Sequence, residues 1–67
     1  MKLSYKKLFK LLIDRDIRKT QLSQMAGVSM TSLAKMAKEE NINTSILEKI
    51  CTALKCDIGD ISEMVEE

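Results

Sequence analysis

Apolar residues recur along the chain at helical spacing in five stretches. Tyr5, Leu8 and Leu12, with Phe9 beside them, fall at intervals of three and four, the period at which side chains share one helix face. Leu11 and Ile13 widen that stripe beyond what one core face needs, so one of them is expected to meet a partner. Ser4 stands where an N-cap belongs and predicts a first helix running to about Arg15. Asp14 to Arg18 reads as the connection, with Ile17 as a buried plug. Leu22 with Ala26, and Leu33 with Met36, predict a second helix over about Lys19 to Ala26 and a third from Met30 to about Lys38. Glu39 to Ile42 is a loop without glycine. Asn43 then caps a fourth helix, Thr44 to about Lys55, striped by Leu47, Ile50, Cys51 and Leu54. Asp57 opens a short fifth helix with Asp60 at its N3 position, where a second carboxylate suits the helix dipole. Ile58, Ile61, Met64 and Val65 are its apolar positions, and Glu66 and Glu67 a frayed acidic end.

The junction between the second and third stretches is the most informative. Gly27 permits a positive φ and an abrupt helix end. Ser29, two residues on, is a good N-cap for a helix starting at Met30. Ser23 is small where the second helix must cross closely. A helix, a short glycine turn and a second capped helix make the helix-turn-helix signature.

Lys19 to Lys38, KTQLSQMAGVSMTSLAKMAK, resembles the helix-turn-helix of the Cro/repressor-type (XRE-type) bacterial and phage DNA-binding proteins. Leu47 to Ile61 looks like that family's fourth and fifth helices, and the resemblance covers roughly Ser4 to Met64. It implies an all-α, five-helix, lambda-repressor-like domain occupying residues 1–67, with helices two and three as the helix-turn-helix. It further implies a sequence-specific transcriptional regulator, a repressor, that reads the major groove of duplex DNA with helix three. On this chain the base-contacting residues would be Met30, Thr31, Ser32 and Lys35. Lys35 can donate to guanine O6 and N7, and Thr31 can bond a base edge or touch a thymine methyl. Arg18, Lys19 and Thr20 at the start of helix two suit phosphates, because first-turn N–H groups and the helix dipole favour an anion there. Ser29, Lys38 and Asn41 flank the other side, and Lys6 or Lys10 would reach a backbone from helix one. A homodimer would span half-sites about one helical turn, ~34 Å, apart. Helix five, with Ile61, Met64 and Val65, is the expected dimer surface.

Two departures from the family pattern stand out. Met30 offers only apolar contact, unlike the glutamine-rich recognition helices of many phage repressors. Where many relatives pair an arginine in helix one with a glutamate at the end of helix three, Leu12 and Ala37 stand here, an apolar replacement that can be neutral or stabilising.

Charge sharpens the picture that a net +1 conceals. Residues 1–38 carry nine Lys/Arg against two acids, and residues 39–67 two Lys against eight acids. This predicts a basic surface for a polyanion and an acidic surface turned away from it. Sixty-seven residues allow one small domain with a marginal core. No apolar run approaches the ~20 residues of a membrane span, and the basic N-terminus lacks a cleavable signal pattern, so a cytoplasmic protein is expected. Cys51 and Cys56, without histidine, cannot close a zinc site. Cys51 reads as a small core hydrophobe, and a disulfide is not expected in that compartment.

Catalysis is not expected. Ser32-Leu-Ala-Lys35 matches an S-x-x-K string, but the further motifs that chemistry requires are missing, as is any phosphate-cradling glycine loop. No cofactor is implied, and nothing suggests a small-molecule effector pocket. The rival reading is an antitoxin-like or anti-regulator protein-interaction module on a helix-turn-helix scaffold, since fold does not fix function.

Overall fold

The computed structural model describes residues 1–66 and is mostly helical. Strand β1 (Lys2–Ser4) leads into α1 (Lys6–Asp14), α2 (Lys19–Ala26), α3 (Met30–Ala37) and α4 (Thr44–Leu54). A single 3₁₀ turn, Ile58–Asp60, and strand β2 (Glu63–Val65) complete the order. The two strands pair antiparallel, with Lys2 opposite Val65, Leu3 opposite Met64 and Ser4 opposite Glu63.

Four helices and a small sheet replace the expected five-helix, all-α domain. Asp57 does cap the turn, its carboxylate accepting from the Ile58 N–H at 2.7 Å, and Asp60 returns a bond to the Asp57 N–H at 2.9 Å. The helix nevertheless stops after one turn, with the Ser62 N–H and hydroxyl both bonded to the Ile58 carbonyl. The chain then runs extended, and Met64 and Val65 lie on a strand. Ser4 likewise belongs to β1 and not to a helix cap. Its hydroxyl still accepts from the Lys6 N–H at 3.3 Å, so it serves the helix start from one residue further out than a cap.

The core gathers Tyr5 from the N-cap of α1, Leu8 and Leu12 from α1, Leu22 from α2, Val28 from the turn, Leu33 and Met36 from α3, Leu47, Ile50 and Leu54 from α4, and Ile61. Each such side chain stabilises by roughly 1.5–3 kcal/mol on leaving water. Ile17 packs partly buried against this cluster, as a plug should, and so does Leu11, while Ile13 is exposed. Leu12 is core, whereas Ala37 is exposed. Cys51 is half-buried and packs against the cluster's edge.

All four helices end alike. Asp16, Gly27, Glu39 and Lys55 take positive φ of 56, 69, 60 and 53°. After each, the next N–H reaches back to a carbonyl five residues earlier: Ile17 to Leu12 (2.8 Å), Val28 to Ser23 (3.2 Å), Glu40 to Lys35 (3.0 Å) and Cys56 to Cys51 (3.1 Å). This is the Schellman bond, which satisfies carbonyls that the helix leaves unpaired. Only Gly27 announces itself by residue type.

Candidate nucleic-acid interface

The α2–α3 junction is built from local chemistry. Ser23 closes it twice: its carbonyl accepts from the N–H groups of Gly27 (3.0 Å) and Val28, and its hydroxyl donates to the Val28 carbonyl. Val28 itself is buried and pins the turn to the core. A Cβ at Gly27 would meet no neighbour within 4 Å, so glycine is required there by backbone conformation, not by space. Ser29 then caps α3, its hydroxyl accepting from the Ser32 N–H at 3.1 Å.

That cap fixes how α3 rotates. Leu33 and Met36 go into the core, and Thr31, Ala34, Lys35 and Lys38 are exposed. Their offsets of three, four and seven define one face. Met30 stands beside them, 44 % exposed. Ser32 is half-buried, and its hydroxyl lies 3.0 Å from that of Ser29. Both serine hydroxyls are thus engaged with each other at the helix start. Polar side chains alone do not mark Ala34; its position three residues after Thr31 does, and an exposed methyl there can meet a thymine methyl.

At the start of α2, Arg18 occupies the extended N-cap position. The Gln21 side-chain oxygen accepts from the Arg18 N–H at 2.8 Å. Arg18, Lys19 and Thr20 are all exposed. The Lys19 ammonium sits 5.0 Å from the centroid of the Phe9 ring, within cation–π range, which holds it close to α1. Lys38 lies at the C-terminal cap of α3, and Asn41 is exposed in the loop beyond it.

The structure also sorts the basic residues of the N-terminal half. Arg15 donates from Nη1 to the Leu54 carbonyl at the end of α4, and Lys7 from Nζ to the Gly59 carbonyl. Cations at a helix C-terminus complement its dipole. Lys2 forms an ion pair with Glu39. These three therefore brace the fold. Arg18, Lys19, Lys35 and Lys38, with Lys6 and Lys10 on the exposed side of α1, are the basic side chains left to meet a polyanion. No helix among the described residues is long and apolar enough to cross a membrane.

Residues 7–67 match the Cro/C1-type HTH DNA-binding domain. The chain is 42 % identical over 55 residues to the uncharacterized HTH-type transcriptional regulator YozG of Bacillus subtilis (strain 168). That alignment covers 79 % of this chain and 66 % of the relative, so the chain spans just under two thirds of the relative's length. The crystal structure of the transcriptional regulator VanUg superposes with a TM-score of 0.90 at 48 % identity, covering 98 % of this chain and 88 % of that one. The chain belongs to the Cro/C1-type HTH DNA-binding domain family.

Proposed function

We propose that residues 1–67 act as one DNA-binding unit that seats α3 in the major groove of duplex DNA and represses transcription by occupying a promoter. The observation that carries this reading is the α3 face: Thr31, Ala34, Lys35 and Lys38 stand exposed together on a helix anchored from behind by Leu33 and Met36. A helix of this width fits the major groove, where base edges are distinguishable. Lys35 is assigned the hydrogen bond to a base, Thr31 a base edge or methyl, and Ala34 and Met30 apolar contacts. Ser32, a base-contact candidate by sequence, is assigned with Ser29 to the cap that orients the helix.

Arg18, Lys19, Thr20, Lys38 and Asn41 are assigned to phosphates on the two sides of α3. Phosphate contacts set register and supply most of the salt-dependent affinity. Each copy presents one α3, and half-sites lie about one helical turn, ~34 Å, apart. One copy would therefore read one half-site, and a homodimer would read a partly palindromic operator. Ile61, at 0 % exposure, is withdrawn from the expected dimer surface. Binding without chemistry, without a cofactor or effector, and in the cytoplasm completes the reading.

The test is selection of bound sequences from a random duplex pool with wild type and Lys35→Ala. An enriched motif that Lys35→Ala blurs at one position supports base reading by α3. Binding of all sequences alike would remove the claim of specificity, and no binding at low salt would overturn the DNA assignment in favour of a protein-interaction module.

A further inference from the structure

We propose that Cys51 and Cys56 are a thiol-oxidation site, closing as a reversible intramolecular disulfide at the end of α4. On a continuous helix, residues five apart point about 140° away from each other, because each residue turns ~100°. The turn at Lys55 cancels that separation. Its positive φ of 53° ends α4, and the Cys56 N–H folds back onto the Cys51 carbonyl at 3.1 Å. The Lys55 N–H meanwhile reaches the Thr52 carbonyl. A side-chain contact between the residues joined by the longer bond frequently accompanies this Schellman arrangement. At the end of α1 that pair is Leu12 and Ile17, two apolar residues. Here the same two positions hold thiols.

The thiols are also reachable. Both cysteines are half-buried, and both line a shallow groove with Thr44, Leu47, Asp57 and Ile58. Burial first, and then the charge and hydrogen bond of the neighbouring Cys56 thiol, raise the Cys51 pKa. A lowered thiolate fraction slows exchange in both directions without deciding the equilibrium. That equilibrium depends on how closely the fold holds the two sulfurs, and the Schellman turn holds them as neighbours.

The oxidant is a low-molecular-weight disulfide such as oxidised glutathione. One cysteine thiolate attacks it, forming a protein–glutathione mixed disulfide and releasing one glutathione thiolate. The second cysteine thiolate attacks the protein sulfur of that mixed disulfide, forming the Cys51–Cys56 bond and releasing the second glutathione. The two protons lost by the cysteines end on the two glutathione thiols. The protein is oxidised by two electrons, and the small disulfide is reduced by the same two.

The experiment equilibrates the full chain in glutathione redox buffers, native and in denaturing urea, and reads the products by intact mass and peptide mapping. The expected native product has lost both thiol hydrogens and carries a Cys51–Cys56 cross-linked peptide, whereas Cys56→Ser takes up a glutathione adduct on Cys51 instead. The equilibrium constant for closure should be more than about tenfold larger in the native protein than in urea, the sense expected when a fold favours a disulfide. Glutathione adducts on both cysteines without the internal bond would overturn the proposal. So would a closure constant no larger in the native state than in urea.

Discussion

Lys2 Nζ lies 2.7 Å from a Glu39 carboxylate oxygen, joining the first strand to the residue that ends α3. Ser4 adds a bond from the same strand, its hydroxyl donating to Glu39 Oε1 at 3.4 Å. Glu39 is the positive-φ residue that terminates the proposed reading helix. The sheet and the end of α3 are thus tied at one carboxylate.

The pH dependence follows from that tie. The hydrogen bond from Lys2 chiefly lowers the Glu39 pKa, against the effect of burial, and the charges of Lys2 and Lys6 and the Ser4 bond lower it further. A carboxyl depressed on folding contributes stability above its unfolded pKa of about 4.3. That contribution is lost as pH falls through the lower folded value. Urea denaturation from pH 7 down to about pH 3 should show a steeper acid loss in wild type than in Glu39→Gln. Parallel acid limbs would remove Glu39 from the account.

The turn and strand at the C-terminus separate two nearby apolar residues by energy. Ile61 is fully buried and Met64 is 55 % exposed. Ile61→Ala should cost about 2–5 kcal/mol in equilibrium unfolding. Met64→Ala should stay within about 1 kcal/mol. Equal costs would favour a fifth helix with a common buried face over a turn followed by a strand.

Ala34 supplies a test of the recognition face that leaves the core alone. Ala34→Glu places a carboxylate on an exposed helix position, so stability should change by no more than about 0.5 kcal/mol. Facing DNA, the same carboxylate should weaken binding by more than about 2 kcal/mol, since like charges across an interface cost several. A gel-shift titration that finds affinity unchanged would turn α3 away from the groove.

Phosphate contacts are read from salt. If Arg18 and Lys38 each neutralise one phosphate, Arg18→Ala and Lys38→Ala should each reduce the slope of log K against log salt by about 0.9. Arg15→Ala should leave that slope unchanged, because its guanidinium is bonded to the Leu54 carbonyl, and should instead lower the melting temperature.

Lys55 carries a conformational cost that glycine would relieve. An L-residue at positive φ is disfavoured by roughly 1–2 kcal/mol, part of which glycine returns through its greater freedom in the unfolded chain. Lys55→Gly should stabilise by about 0.5–1 kcal/mol in urea titrations. A destabilisation would mean that the Lys55 side chain contributes more than its backbone costs.

Much of the proposed interface was legible in the sequence because its determinants are local. Gly27 marks a left-handed helix end by having no Cβ, and Ser29 and Asn43 mark helix starts by carrying oxygens that reach the next turn's N–H groups. Leu22, Leu33 and Met36 set the buried side of α2 and α3 by spacing alone, which leaves Thr31 and Lys35 facing out. Tertiary structure decided what depends on residues far apart in the chain. Three-residue strands have too short a period to register, so Lys2–Ser4 and Glu63–Val65 become a sheet only because they meet. Asp16, Glu39 and Lys55 take a conformation their side chains disfavour, which the packing of the whole chain imposes. Charge counting made every lysine and arginine of the N-terminal half a candidate for DNA. Only the fold spends Lys2, Lys7 and Arg15 on Glu39 and on the carbonyls of Gly59 and Leu54, because Coulomb attraction and helix-end capping act between groups that the chain's order keeps apart.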